Sequence, residues 1–155
     1  MAVRSIFVPT PPAAVWDVFA DGQRYDTWVV GAANVRSVEP AWPQPGSRIH
    51  HTVGVWPFHI KDTTSVVAAE KDRKFVLRAR AWPAGEAEVT FALTPQAGGT
   101  LVTMTEGPVA GPGRSLHNPL SEILLHVRNA ETLRRLRKRA TERARTGSGQ
   151  AGQTG

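Results

Sequence analysis

Residues 74–94, KFVLRARAWPAGEAEVTFALT, carry two runs of alternating side chains on either side of a turn. In the first run Phe75, Leu77, Ala79 and Ala81 are apolar, whereas Lys74, Arg78 and Arg80 are charged. In the second run Ala87, Val89, Phe91 and Leu93 are apolar, whereas Glu86 and Glu88 are charged. Successive residues of a strand point to opposite faces, so the odd positions of both runs form one inward face. A turn centred on Ala84 sets Arg80 opposite Glu88 on the outer face, an opposite-charge pair that favours the hairpin.

The same arithmetic extends in both directions. A turn between Lys71 and Asp72 pairs Leu77 with Val66 and Phe75 with Ala68, which turns Ile60, Asp62, Thr64, Val66 and Ala68 inward. A turn at Trp56-Pro57 then places Val53 opposite Ile60 and His51 opposite Asp62. Downstream, a turn between Ala97 and Gly98 pairs Leu93 with Val102 and Phe91 with Met104, and brings Glu106 inward beside Val89. Strands are expected at 3–8, 34–39, 48–56, 58–69, 74–82, 86–94 and 100–106. The short gaps between them predict a curved antiparallel sheet of about seven strands. Gly107 to Gly113 reads as a loop.

Helical spacing appears at both ends. Val15, Trp16 and Phe19 predict a short helix over 11–21, with Thr10 as its N-cap and Pro11 and Pro12 in its first turn. Gln23 to Trp28 forms one further turn. A long helix is expected over 119–145, about 40 Å at 1.5 Å per residue. Its apolar positions are Leu120, Ile123, Leu124, Val127, Ala130, Leu133, Leu136 and Ala140, a face broad enough to lie across the sheet. The class is α+β: one domain over 1–145, with 146–155 as a disordered tail.

The inner face is apolar around Val66, Phe75, Leu77 and Phe91. It is small and polar around His51, Asp62, Thr64, Ala79 and Ala81. Small residues on a concave sheet under a long helix predict a cavity. Its expected ligand contacts are Trp28, Thr64, Ala79, Ala81, Val89, Phe91, Met104, Glu106, Val127 and Asn129. Trp56 and Trp82, beside turns, are further candidates for its rim. Asn129 interrupts an apolar stripe, where an amide can anchor a ligand or be tied within the core. Glu106 either orients a ligand or meets solvent at a strand end.

His51 and Asp62 form the best candidate pair for chemistry. A carboxylate opposite an imidazole raises its proton affinity and fixes its tautomer, as general acid–base catalysis of cyclisation or dehydration requires. The same pair can equally satisfy two semi-buried polar groups without chemistry.

Several classes are excluded or disfavoured. The chain has no cysteine, which removes disulfides, zinc thiolates and thiol nucleophiles. His50 and His51 are strand neighbours and point to opposite faces, and His117 and His126 do not share a helix face. No metal site is expected. No P-loop, GxGxxG or GxSxG occurs, so no cofactor is expected. The start of the chain lacks the pattern of a secretory signal, and no apolar run reaches the roughly 18 residues of a membrane span. A cytoplasmic protein without integral membrane association is expected.

The net charge of +6 is local. Residues 128–145 hold eight Arg or Lys against Glu131 and Glu142, a surplus that equals the charge of the whole chain. Cations near a helix C-terminus suit its dipole. No aromatics interleave with them, so nucleic acid is not the expected partner.

Three segments carry a family resemblance: VPTPPAAVWDVFADGQRYDTW (8–28), GGTLVTMTE (98–106) and RNAETLRRL (128–136). Over about residues 3–140 the chain resembles the START-like, or SRPBCC, superfamily, in particular its polyketide cyclase/dehydrase-like and lipid-transport-like members. The resemblance implies a helix-grip fold with a deep cavity for a hydrophobic or aromatic small molecule. It implies no single reaction and no transferable catalytic set. Three functions follow as expectations: a carrier or sensor of such a ligand, a cofactor-independent cyclase/dehydratase using His51 and Asp62, or an interaction module using the basic helix end.

Overall fold

The computed structural model describes residues 2–55, 58–81, 85–110 and 119–151, with side chains at 53–55, 58–60, 81, 110, 119–122 and 148–151 outside that description. Seven strands form one antiparallel sheet: β1 (Ala2–Val8), β2 (Ala32–Val38), β3 (Arg48–Val55), β4 (Phe58–Glu70), β5 (Lys74–Ala81), β6 (Gly85–Gln96) and β7 (Gly99–Ala110). Helix α1 (Pro12–Ala20) and a 3-10 helix (Gly22–Thr27) connect β1 to β2, and α2 (Pro119–Ala151) follows β7. The spatial order is β1-β7-β6-β5-β4-β3-β2: a meander from β2 to β7, with β1 added at the far edge. No helix among the described residues is long and apolar enough to cross a membrane.

Two predicted registers hold. His51 faces Asp62 across β3 and β4, and Val89, Phe91 and Leu93 face Glu106, Met104 and Val102 across β6 and β7. The β5–β6 turn is centred one residue earlier than expected, which shifts the pairing by two. Gly85, at φ 117°, joins the ladder opposite Ala81. Arg80 therefore meets Glu86 and Arg78 meets Glu88. A shift of two leaves every side chain on its predicted face. Between Val66 and Ala68 a bulge moves Phe75 from its expected partner, Ala68, to Ala69.

Three boundaries also differ. Pro11 occupies the cap position of α1 without a side-chain bond. Thr10, expected there, is instead buried, and its carbonyl accepts from the Thr100 hydroxyl at 2.8 Å. Strand β7 runs on to Ala110 through the expected loop: Pro108 continues the ladder opposite Ala87, and a bulge then sets Ala110 opposite Glu86. Helix α2 runs through Ala151, past the 145 expected from its periodicity.

The core is an aromatic block between α1, the 3-10 helix and the concave face. Phe19 is 1 % exposed, its ring stacks on Phe75 (5.1 Å between centroids), and it also touches Trp16, Trp28 and Phe91. Trp42 closes the block and donates from Nε1 to the Phe19 carbonyl at 2.9 Å. Leu133, Leu136 and Ala140 of α2 complete the core. An ion pair from Arg143 to Asp21 ties the same half of α2 to the end of α1. Phe19→Ala removes a fully buried ring from four aromatic contacts, and urea denaturation should show a loss of about 3–5 kcal/mol.

Candidate functional site

A cavity of about 60 Å³ lies between the concave sheet and α2. Leu77, Ala79, Val89, Phe91 and Met104 form its apolar wall, Val29 and Val30 close one side, and Tyr25, Glu106, Arg128 and Thr132 supply its polar groups. Strand alternation delivers Val89, Phe91, Met104 and Glu106 to the same surface. Helix α2 delivers Arg128 and Thr132 one turn apart. Thr132 accepts a hydrogen bond from the Val30 amide at 3.2 Å, which holds the helix to the segment that follows the 3-10 turn.

The polar end is an ion pair. Glu106 is buried, and Arg128 reaches its carboxylate from the helix above. The Arg128 guanidinium also donates to Asn129 Oδ1 at 3.1 and 3.3 Å. Asn129 is buried behind Arg128 and is not part of the cavity wall; its amide oxygen aims the arginine. Glu106 points inward, and the strand continues past it. A buried carboxylate without such a partner would be strongly destabilising.

His51 and Asp62 are buried neighbours, but they do not line the cavity. Instead, His51 Nε2 and Thr64 Oγ1 share a hydrogen bond of 2.7 Å, and the Tyr25 hydroxyl donates to the same Thr64 oxygen at 3.4 Å. The Tyr25 and His51 rings lie 5.6 Å apart. A buried chain, Tyr25–Thr64–His51, thus leads from the cavity into the sheet. Thr64 Oγ1 has two lone pairs, so the Tyr25 hydrogen bond is compatible with either neutral tautomer of His51, the proton on Nδ1 or on Nε2. His51 Nδ1 has no hydrogen-bond partner among the described residues. Asp62 Oδ1 accepts from the Thr63 amide at 2.8 Å.

The expected rise in His51 proton affinity is reversed. Burial lowers its pKa from the ordinary 6.5 and outweighs the opposing pull of Asp62. Burial also raises the pKa of Tyr25 above 10.0, which keeps it a phenol donor at neutral pH.

Of the remaining expected contacts, Ala79, Val89, Phe91 and Met104 line the cavity. Trp28 is buried one layer back, against Phe19, Tyr25 and Phe91. Ala81 pairs with Gly85, and its side chain lies outside the described residues, as do Trp56, Trp82 and His117. Val127 is a correction: it is 62 % exposed. The buried stripe of α2 is Asn129, Thr132, Leu133, Leu136 and Ala140, and Val127 lies on the opposite side of the helix at about 100° per residue. Tyr25 and Arg128 were not foreseen. Tyr25 sits in an irregular 3-10 turn that offers no periodicity. Arg128 had one usable signal: inward-facing Glu106 required a cation from the covering helix. His50 turns away from His51, toward Thr63 Oγ1 at 3.2 Å. Among the described residues no three His, Asp or Glu side chains group as metal ligands.

The lowered His51 pKa fixes a sign. As pH falls through 6.5 the unfolded chain takes up this proton before the folded one, so stability falls, and the fall ends once the folded imidazole also protonates. Thermal melts between about pH 7.5 and pH 5 should therefore show a steeper acid loss for the wild type than for His51→Gln. Equal slopes would remove His51 as the source.

Comparison with known proteins places this geometry. The family model described as polyketide cyclase / dehydrase and lipid transport matches residues 2–141. No curated protein matches the chain by sequence. Among solved structures, protein NE0264 from Nitrosomonas europaea superposes with a TM-score of 0.70 at 16 % identity, over 91 % of this chain and 94 % of that one. Protein MLL2253 from Mesorhizobium loti gives 0.67 at 17 %, over 91 % and 96 %. The di-domain ARO/CYC StfQ from the steffimycin biosynthetic pathway gives 0.70 at 12 %; the match covers 92 % of this chain and 51 % of StfQ. At these identities the structural matches establish the helix-grip fold, and the family match over nearly the whole described chain establishes descent: the protein belongs to the polyketide cyclase/dehydrase and lipid transport family of the START-like superfamily.

Proposed function

We propose that the protein binds a small, largely apolar molecule, aromatic and bearing a neutral hydroxyl or carbonyl group, in the cavity beneath α2. One observation carries this reading: the Glu106–Arg128 pair forms the polar end of an otherwise apolar cavity. The two charges cancel. A ligand hydroxyl can donate to Glu106 and accept from Arg128, whereas a carboxylate must compete with Glu106 for the guanidinium. Family membership supports the same class of ligand, as does the fold shared with a protein of the steffimycin biosynthetic pathway.

At about 60 Å³ the cavity has room for only a few waters, so an aromatic ligand enters by displacing its wall. The part of the wall with least support is the first half of α2. Ile123, Leu124 and Val127 there are 60, 61 and 62 % exposed, while Leu133 and Leu136 farther along are fully buried.

A second reading keeps the proton-transfer role of His51 and Asp62. It is favoured by the Tyr25–Thr64–His51 chain, which gives a cavity-bound molecule a hydrogen-bonded route to a buried neutral imidazole. In this reading Tyr25 touches the substrate, His51 exchanges the proton through Thr64, and Asp62 biases the imidazole through space. Unchanged turnover in both His51→Ala and Asp62→Asn would end it.

Binding is tested by titrating intrinsic tryptophan fluorescence with 2-naphthol, 2-naphthoate and naphthalene, since Trp28 lies 5.6 Å from the cavity-lining Phe91. The expected order is naphthol tightest, with Glu106→Gln weakening it by about tenfold, the worth of one hydrogen bond to a charged group. Failure of all three to bind, or a preference for naphthoate, would overturn the proposal.

A further inference from the structure

The outward face of α2 is built in two halves. At about 100° per residue, Ile123, Val127, Arg134, Lys138, Thr141 and Arg145 fall on one stripe, opposite the buried one. From residue 123 to residue 145 that stripe spans about 33 Å. Its first two turns are aliphatic, with Ile123, Leu124 and Val127 each at least 60 % exposed. Beyond them the stripe is mainly basic, with Glu131 and Thr141 also on it. There, Arg134, Arg137, Lys138 and Arg145 line a groove of about 540 Å³ against Phe7 and Pro9 of the β1 edge, with Glu142 as its single acid.

Among the described side chains of this helix, the carboxylates are taken up by particular cations. Glu131 is held by Arg134 and Arg135, which lower its pKa to about 2, and Glu142 lies 3.4 Å from Arg139. Arg137, Lys138 and Arg145 form no ion pair among the described residues. Two unpaired cations on the stripe, Lys138 and Arg145, with Arg137 beside them in the groove, therefore follow an exposed aliphatic cluster.

We propose that this face seats on an anionic lipid surface. Ile123, Leu124 and Val127 enter the boundary between headgroups and acyl chains, and the groove cations meet lipid phosphates. Exposed aliphatic area and positive charge on one helix are the two contributions that peripheral membrane binding adds together. Exposed Phe7 lies beside the groove cations, but no ring lies among Ile123, Leu124 and Val127, so nucleic acid accounts for the basic groove and not for the apolar turns. The proposal does not depend on a ligand in the cavity.

The test is flotation of the full chain with equimolar phosphatidylglycerol/phosphatidylcholine vesicles against vesicles of phosphatidylcholine alone. Binding is expected to the anionic vesicles only, and to weaken as salt rises from about 0.1 to 0.5 M. The variants Arg137→Glu/Lys138→Glu and Leu124→Ser/Val127→Ser alter exposed side chains, and circular dichroism confirms their fold. Each should lose at least about tenfold in affinity. Equal binding to both vesicle types, or full binding by the charge-reversed variant, would overturn the proposal. Retention of a duplex oligonucleotide without flotation would instead assign the face to nucleic acid.

Discussion

A carboxylate on the concave face of a sheet cannot be covered by a helix unless the helix brings a cation to it. Glu106 sets that condition, and Arg128 meets it. Much of the arrangement around the cavity follows. The pairing fixes which turn of α2 lies above β7. Asn129, behind the guanidinium, fixes its direction. One turn later Thr132 takes the Val30 amide, so the segment leaving the 3-10 helix is held at the cavity wall. The apolar residues of β5, β6 and β7 then enclose a space whose polarity is confined to one end. A hydrophobic pair in place of Glu106 and Arg128 could bury as well or better. What the ions add is a place on the wall where orientation matters.

The same helix serves two environments in succession. Its C-terminal half is anchored by Leu133, Leu136 and Ala140 in the core and by Arg143 on Asp21. Its N-terminal half carries apolar residues that meet solvent. Anchoring one half and leaving the other exposed makes α2 a lever rather than a lid: the end that can move without disturbing the aromatic block is the end beside the cavity. Ligand entry and contact with a lipid surface would both act there, on adjacent residues. Val127 points outward, and Arg128 reaches inward.

The strands were legible from sequence because a pleat has period two and tight turns constrain the partner of each residue. Thus His51 opposite Asp62 and Phe91 opposite Met104 follow from turn positions alone. The register failed where the backbone did something a pattern cannot show: Gly85 at positive φ, and the bulge after Val66. The helix was harder. Its apolar residues cover nearly the whole circumference in the first turns, so the sequence does not say which of them face the sheet, and Val127 was assigned to the wrong side. For the site, proximity in the ladder was readable, but energetic dominance was not. Asp62 does sit beside His51, yet burial of the imidazole outweighs it, and the nearer hydrogen-bond partner is Thr64. Tyr25, contributed by an irregular turn, completes a chain that no spacing rule could assemble.

The position of β1 at the sheet edge has a kinetic side. Strands β2 to β7 pair with sequence neighbours through short turns, but β1 joins residues 2–8 to residues 100–106. Loop closure over such a separation must be met before the contacts that reward it. During synthesis the meander can zip progressively as it emerges, while the first strand waits for β7. Until then the emerging chain exposes the partner edge of β7 and the aliphatic side chains of β1, a window in which a neighbouring chain's strand could take its place.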